Sequence, residues 1–219
     1  MRKFKVGALF LSSFFAITCS NDQMLRTREN ELAQKFIITD GHIDTPWKLS
    51  KNYEDISLRT KTGDFDYVRA KKGGLDVPFM AIYIPSSYIE TGGAKEKADS
   101  LIDMVEQIAN KDPDKFEIAY SLEDANRIFK EGKIALPMGM ENGAGIENDI
   151  NNLKHFYDRG IRYITLTHSK DNLICDSSYD EEEDTWGGLS PYGKKVVKEM
   201  NRLGMMVDIS HVTDEVINQ

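Results

Sequence analysis

Four apolar runs in this sequence are each followed by a group able to hold a cation or move a proton. His42-Ile43-Asp44 follows Phe36-Ile37-Ile38, and Glu141-Asn142 follows Ile134 to Met140. His168 follows Tyr163 to Thr167, and Ser210-His211 follows Val207-Asp208-Ile209. Residues i and i+2 of an extended segment point the same way, so the His42 imidazole and the Asp44 carboxylate can share one cation, each at about 2.0–2.2 Å for zinc. His-x-Asp is also a common polar pair at a strand end. Glu141 closes a run that reads as buried strand, where a carboxylate costs free energy unless it is paired or ligates a metal. Its two oxygens can bridge two cations about 3.5–4 Å apart, although Asn142-Gly143 also suits a solvated loop. His211 can give a neutral imidazole to the second cation, or pack as a core or capping histidine. His155 lies in a helical stretch away from any strand end and is given a surface or packing role. Cys175 has acidic neighbours (Asp176, Asp180 and the run Glu181 to Asp184), which raise a thiol pKa and argue against a nucleophile.

Short apolar runs alternate with amphipathic stretches from about residue 29 onward. Strands are expected at Phe36-Ile37-Ile38 (buried), Val77 to Ile84, Phe116 to Tyr120, Ile134 to Met140, Tyr163 to Thr167 and Met205 to Ile209. Helices are expected at Lys95 to Asn110, from Ser121 to Gly132, at Ile150 to Tyr157, from Pro191 to about Leu203, and from Thr213 onward. Residues 45–73 read as a long polar surface loop, and Lys170 to Trp186 as an acidic one. Alternating strands and helices imply parallel βα units with right-handed crossovers. A barrel brings the carboxyl ends of all its strands to one mouth, whereas an open sheet spreads them along a line. The expectation is therefore a partial TIM-like (β/α)8 barrel with about five or six of its eight βα units.

The composition is that of a soluble globular chain: 219 residues, 40% hydrophobic and 29% charged. A net charge of −8 provides no basic surplus for a phosphate backbone, so nucleic acid is excluded as a partner. Arg2, Lys3 and Lys5 precede a short apolar run from Val6 to Thr18, too short to span a bilayer and suited to a signal peptide. Ala16-Ile17-Thr18-Cys19 resembles a bacterial lipobox, with polar Ser20-Asn21-Asp22-Gln23 behind it as a tether. The expected organisation is a lipoprotein signal at 1–18, a tether and N-terminal segment at 19–35, and a metal-dependent barrel hydrolase domain at 36–219. Cys19 is the candidate lipidation site and would anchor an exported protein at the bacterial envelope.

Several segments resemble the membrane (renal-type) dipeptidase family, zinc peptidases of the amidohydrolase-like barrels. They are Asp40-Gly41-His42-Ile43-Asp44-Thr45, Gly73-Gly74-Leu75, Met140-Glu141-Asn142-Gly143, Tyr163-Ile164-Thr165-Leu166-Thr167-His168, and the run from Gly188-Leu189-Ser190 to Val207-Asp208-Ile209-Ser210-His211. The resemblance implies two Zn2+ ions. His42 and Asp44 would hold one, Glu141 would bridge both, and His211 would bind the second. His168 would contact the substrate or the oxyanion instead of a metal. It further implies hydrolysis of dipeptides, including those with a C-terminal D-residue, by a metal-activated water, in a family that is often homodimeric. The family's further zinc histidine, substrate-binding arginine and acidic residue have no counterpart after His211. The 219-residue chain alone is therefore expected to be an incomplete barrel, inactive or poorly folded. Two alternatives stand beside this reading. One is another binuclear hydrolase on the same barrel, although those often carry His-x-His and a modified lysine bridge. The other is a non-catalytic surface lipoprotein that keeps half the fold.

Overall fold

The computed structural model describes residues 27–181 and 183–219. The signal peptide and Cys19 expected from the sequence lie outside the described residues. A helix whose described part covers 27–35 (α1) leads into five parallel strands: β1 (Ile38–Ile43), β2 (Leu75–Tyr83), β5 (Met138–Glu141), β6 (Ile161–Thr165) and β7 (Met206–Asp208). Their order in the sheet is β1-β2-β5-β6-β7, and every neighbouring pair is parallel. This order follows the chain without reversal, the winding of a singly wound barrel and not of a doubly wound sheet. The sheet curls into a half-barrel. β3 (Phe116–Glu117) and β4 (Ile134–Ala135) form a separate two-stranded parallel pair.

Among the described residues eight α-helices follow β1, most of them against the convex face; the one at Leu122–Lys130 packs instead with Val77 and Ala135 in a separate cluster. They are α2 (Thr45–Lys51), α3 (Tyr67–Gly73), α4 (Ser87–Thr91), α5 (Ala94–Lys111), α6 (Leu122–Lys130), α7 (Asn151–Asp158), α8 (Pro191–Leu203) and α9 (Asp214–Ile217). Met80 and Ile82 of β2, Met140 of β5 and Ile164 of β6 face them, and all four are fully buried. Leu101, Ile102 and Val105 of α5 and Val196 and Met200 of α8 complete this core. The alternate residues of the same strands face the concave side, as the period of two requires.

The helix ends follow local chemistry. Ser190 caps α8 by accepting from Gly193 N–H, Pro191 occupies the first turn, and Gly204 closes the helix in the left-handed region. Ser121 caps α6 by accepting from Asp124 N–H.

The structure corrects three expectations. Residues 45–73 are not one loop: α2 starts with Pro46 in its first turn, and Asp66 caps α3. The run Ile134 to Met140 is divided into β4 and β5 at Leu136-Pro137, because proline has no N–H for the ladder. Phe36 and Ile38 are not buried, and β1 begins two residues later than expected. β1 is an edge strand, so its apolar residues lack a second neighbour among the described residues.

Candidate metal centre

The carboxyl ends of the strands meet at one mouth. His42, Asp44, Glu141, His168 and His211 are all there. His42 sits where β1 slips against β2: Asp40 pairs with Pro78 and Ile43 with Met80, so β1 spends one extra residue between them. Pro78 has no N–H to give this ladder, and a bulge there re-aims the side chains it carries. Asp44 is not extended. It occupies the N-cap position of α2, yet its Oδ1 still lies 3.5 Å from His42 Nε2. Glu141 ends β5 and is almost completely buried. The next residue, Asn142, has φ 80°, a left-handed conformation in a non-glycine residue. Its amide compensates: Nδ2 donates to Ile84 O, and Oδ1 accepts from Ala144 N–H and Asn172 Nδ2.

His168 and His211 reach the same carboxylate from the segments after β6 and β7. Glu141 Oε2 is 3.3 Å from His42 Nε2. Glu141 Oε1 is 3.4 Å from His168 Nε2 and 3.5 Å from His211 Nε2. Two donor groups result, His42–Asp44–Glu141 and Glu141–His168–His211, which share Glu141 and divide its two oxygens between them.

These separations fit a metal. Two ligands at 2.1 Å from a tetrahedral zinc are about 3.4 Å apart, and the four contacts above scatter around that value. They are longer than good charge-assisted hydrogen bonds, which run about 2.7–2.9 Å. The donors therefore surround a cation-sized space and do not close on one another. Imidazole and carboxylate donors suit zinc. Nε2 of His168 and of His211 faces Glu141, while Nδ1 of each ring is buried with no hydrogen-bond partner among the described residues.

The electrostatics agree. Burial works to raise the Glu141 pKa, but the imidazoles of His42, His168 and His211 outweigh it and hold the carboxyl below its ordinary value. The Glu141 carboxylate holds His42 above the usual histidine value against the effect of burial, with Asp44 adding to the rise. Burial pushes His168 down despite Glu141, so this imidazole is neutral at neutral pH.

A cavity of about 460 Å³ opens beside the cluster, lined by His42, Glu141, Tyr163, Thr165, Asp208 and His211 among others. Three of these residues were not expected from the sequence. Tyr163 Oη lies 2.9 Å from His42 Nδ1. Thr165 Oγ1 donates to Asp208 Oδ2 at 2.6 Å. The signal for them was alternation: Tyr163 and Thr165 share the concave face of β6, and Asp208 pairs with Thr165 across β7.

The remaining candidates stand apart. His155 lies on α7, 2.8 Å from Asp99. Cys175 is buried; burial first, then Asp176 and Asp171, pushes its thiol to about 12. In the acidic loop, Asp176 accepts from Trp186 and Gly188 N–H, and Asp171 from Ser177 and Thr185 N–H. These two carboxylates brace the backbone.

Comparison with known proteins extends this picture. The family model described as membrane dipeptidase (peptidase family M19) matches residues 26–219. An uncharacterised dipeptidase of Schizosaccharomyces pombe is 35% identical over 199 residues, 84% of this chain and 48% of that protein. Dipeptidase 3 of Mus musculus is 31% identical over 207 residues, 91% of this chain and 41% of that protein. The chain thus spans less than half the length of these curated relatives. Among solved structures, the probable dipeptidase PvdM from Pseudomonas aeruginosa superposes with a TM-score of 0.79 at 26% identity, covering 90% of this chain and 52% of that one. A metallopeptidase from Rhodobacter sphaeroides, liganded with a phosphinate mimic of the dipeptide L-Ala-D-Ala, shares the fold with a TM-score of 0.73 at 22% identity, over 84% of this chain and 61% of that one.

Proposed function

The chain belongs to the membrane dipeptidase family, peptidase family M19, and on that premise we propose that it carries the metal-binding half of a zinc-dependent dipeptidase. The observation that supports this most directly is the division of the Glu141 carboxylate, one oxygen towards His42 and the other towards His168 and His211. In the proposed assignment His42 and Asp44 hold one zinc, Glu141 bridges, and His211 holds the second. Cations bound there lower the pKa of water and polarise a carbonyl, which makes peptide hydrolysis accessible near neutral pH. The chain's own groups do the rest. Neutral His168 can donate a hydrogen bond to the oxygen of the carbonyl under attack. The Asn142 amide ties the turn after Glu141 to Ile84 and Asn172, and the cavity beside the cluster receives a short peptide.

One observation favours a second role for His168: its Nε2 is as close to Glu141 Oε1 as that of His211. Metal content decides between them. His168→Ala with full zinc content keeps it as a substrate contact; loss equal to that of His211→Ala makes it a ligand.

Dipeptides, including those with a C-terminal D-residue, are the proposed substrates. The solved relative carrying an L-Ala-D-Ala mimic supports that class. Export and lipid attachment at Cys19 belong to the same proposal and rest on the basic, apolar and lipobox-like segments of the sequence. No described helix is long and apolar enough to cross a membrane.

The test is to load the purified chain with zinc, count ions by mass spectrometry, and assay dipeptides against lactones and phosphotriesters. Zinc uptake is expected, with any hydrolysis confined to dipeptides. A chain that takes up no zinc, or turns over only lactones or phosphotriesters, overturns the reading.

A further inference from the structure

We propose that Tyr163, admitted by Gly139, is a positioning residue that sets the orientation of the His42 imidazole for cation binding. This rests on the metal reading above but concerns residues outside the ligand set.

The geometry is unusual for a strand tyrosine. Tyr163 belongs to β6 and His42 to β1, with β5 and β2 between them. Neighbouring strands lie about 4.8 Å apart, so three spacings separate the two backbones by roughly 14 Å on a flat sheet. Contact requires that the sheet curl and that the tyrosine lie down across its concave face. Both conditions are met. Gly139 of β5 is the residue paired with Tyr163, and a Cβ placed there would stand 2.0 Å from two atoms of the ring. Any side chain at 139 would therefore lift the ring off the sheet. Beyond Gly139 the ring meets Phe79 of β2, with centroids 5.5 Å apart. The hydroxyl ends 2.9 Å from His42 Nδ1.

That contact has a chemical consequence. A neutral imidazole has one N–H and one lone pair. With Nδ1 bonded to Tyr163 Oη, Nε2 is left facing Asp44 Oδ1 at 3.5 Å and Glu141 Oε2 at 3.3 Å, the space a cation would take. When Nε2 gives its lone pair to a cation, Nδ1 carries the proton and donates it to the tyrosine oxygen. Outer partners of this kind fix ring orientation, and their removal typically costs 10–100-fold in metal affinity. His42 needs such a partner because it stands on a slipped edge strand and is only half-buried.

Tyr163→Phe removes the hydroxyl and keeps the ring. In the full chain, with a chromophoric chelator competing for Zn2+, the variant should bind the metal 10–100-fold more weakly than wild type. The absorption bands of the Co2+-loaded protein should also change. Gly139→Ala should weaken binding similarly, but should cost little more when added to Tyr163→Phe, because both act through one hydroxyl. Affinity within twofold of wild type in Tyr163→Phe, with unchanged Co2+ bands, overturns the inference alone. Failure of the wild-type chain to bind either metal overturns the metal reading and this inference with it. If Gly139→Ala fails to fold, Tyr163→Phe still decides.

Discussion

The middle of the sheet and its two edges supply the metal cluster in different ways. Glu141 comes from β5, the central strand, flanked on both sides and backed by fully buried Met140. His42 and Asp44 come from β1, at one edge, and His211 from the segment after β7, at the other. At the centre, packing fixes the ligand: the carboxylate is in place because its strand has no freedom. At the edges, packing is thin and particular contacts substitute for it. His42 has the Tyr163 hydroxyl, and the backbone oxygen of His211 accepts from both the N–H and the hydroxyl of Ser178. A bridging group placed at the rigid centre can serve two flanking positions whose other ligands are set separately.

The strongest way to break this contrast is to substitute the shared group. Glu141→Gln should abolish binding at both positions, lowering zinc affinity by more than the roughly 100-fold that loss of an outer partner costs. His42→Ala should spare the His168–His211 side and leave one ion per chain by mass spectrometry. If His42→Ala empties the protein as completely as Glu141→Gln, the two sides are not separable and the contrast fails.

Stability offers a second comparison. Met140→Ala opens a cavity in the core behind Glu141 and should cost about 2–5 kcal/mol in urea unfolding. Met206→Ala, on β7 and half exposed, should cost less than about 1 kcal/mol. Equal costs would mean that the β7 edge is packed as firmly as the centre.

Legibility did not follow position in the sheet: edge strand β7 lies within a residue of the run Met205 to Ile209 at each end, while β1 at the other edge was misplaced. Strands buried on both faces leave continuous apolar runs, so β2, β5 and β6 were visible, although the run holding β5 also took in β4, and the polar residues after β5 and β6 stood out. α5 and α8 were readable from apolar spacing and from Ser190, Pro191 and Gly204. β1 misled because Phe36 and Ile38 look like core residues, while an edge strand exposes them. α2 and α3 are too short for periodicity to show, although Pro46 and Asp66 marked their starts. Tyr163 escaped because a tyrosine inside a strand reads as packing. Its role depends on Gly139 in a strand more than twenty residues away, and only the sheet register brings the two together.

The last effect concerns the segment that follows the β1 edge. The connection from β1 to β2 turns on Asp66, whose side chain has no exposed surface. Burial alone would raise its pKa. Hydrogen bonds from Arg69 N–H and Nε and from Thr60 N–H and Oγ1 outweigh that and bring it to about 2. A carboxyl depressed from 3.8 to about 2 contributes about 2 kcal/mol when ionised. That contribution is complete above the unfolded-state value near 4 and is lost as the pH falls through the folded value near 2. Asp66→Asn should therefore destabilise the chain by about 2 kcal/mol at pH 7, and the gap from wild type should shrink to under about 0.5 kcal/mol at pH 2. Urea unfolding at the two pH values measures it. A gap that stays constant with pH would assign the Asp66 contribution to shape instead of charge, and the segment after β1 would then be held by packing after all.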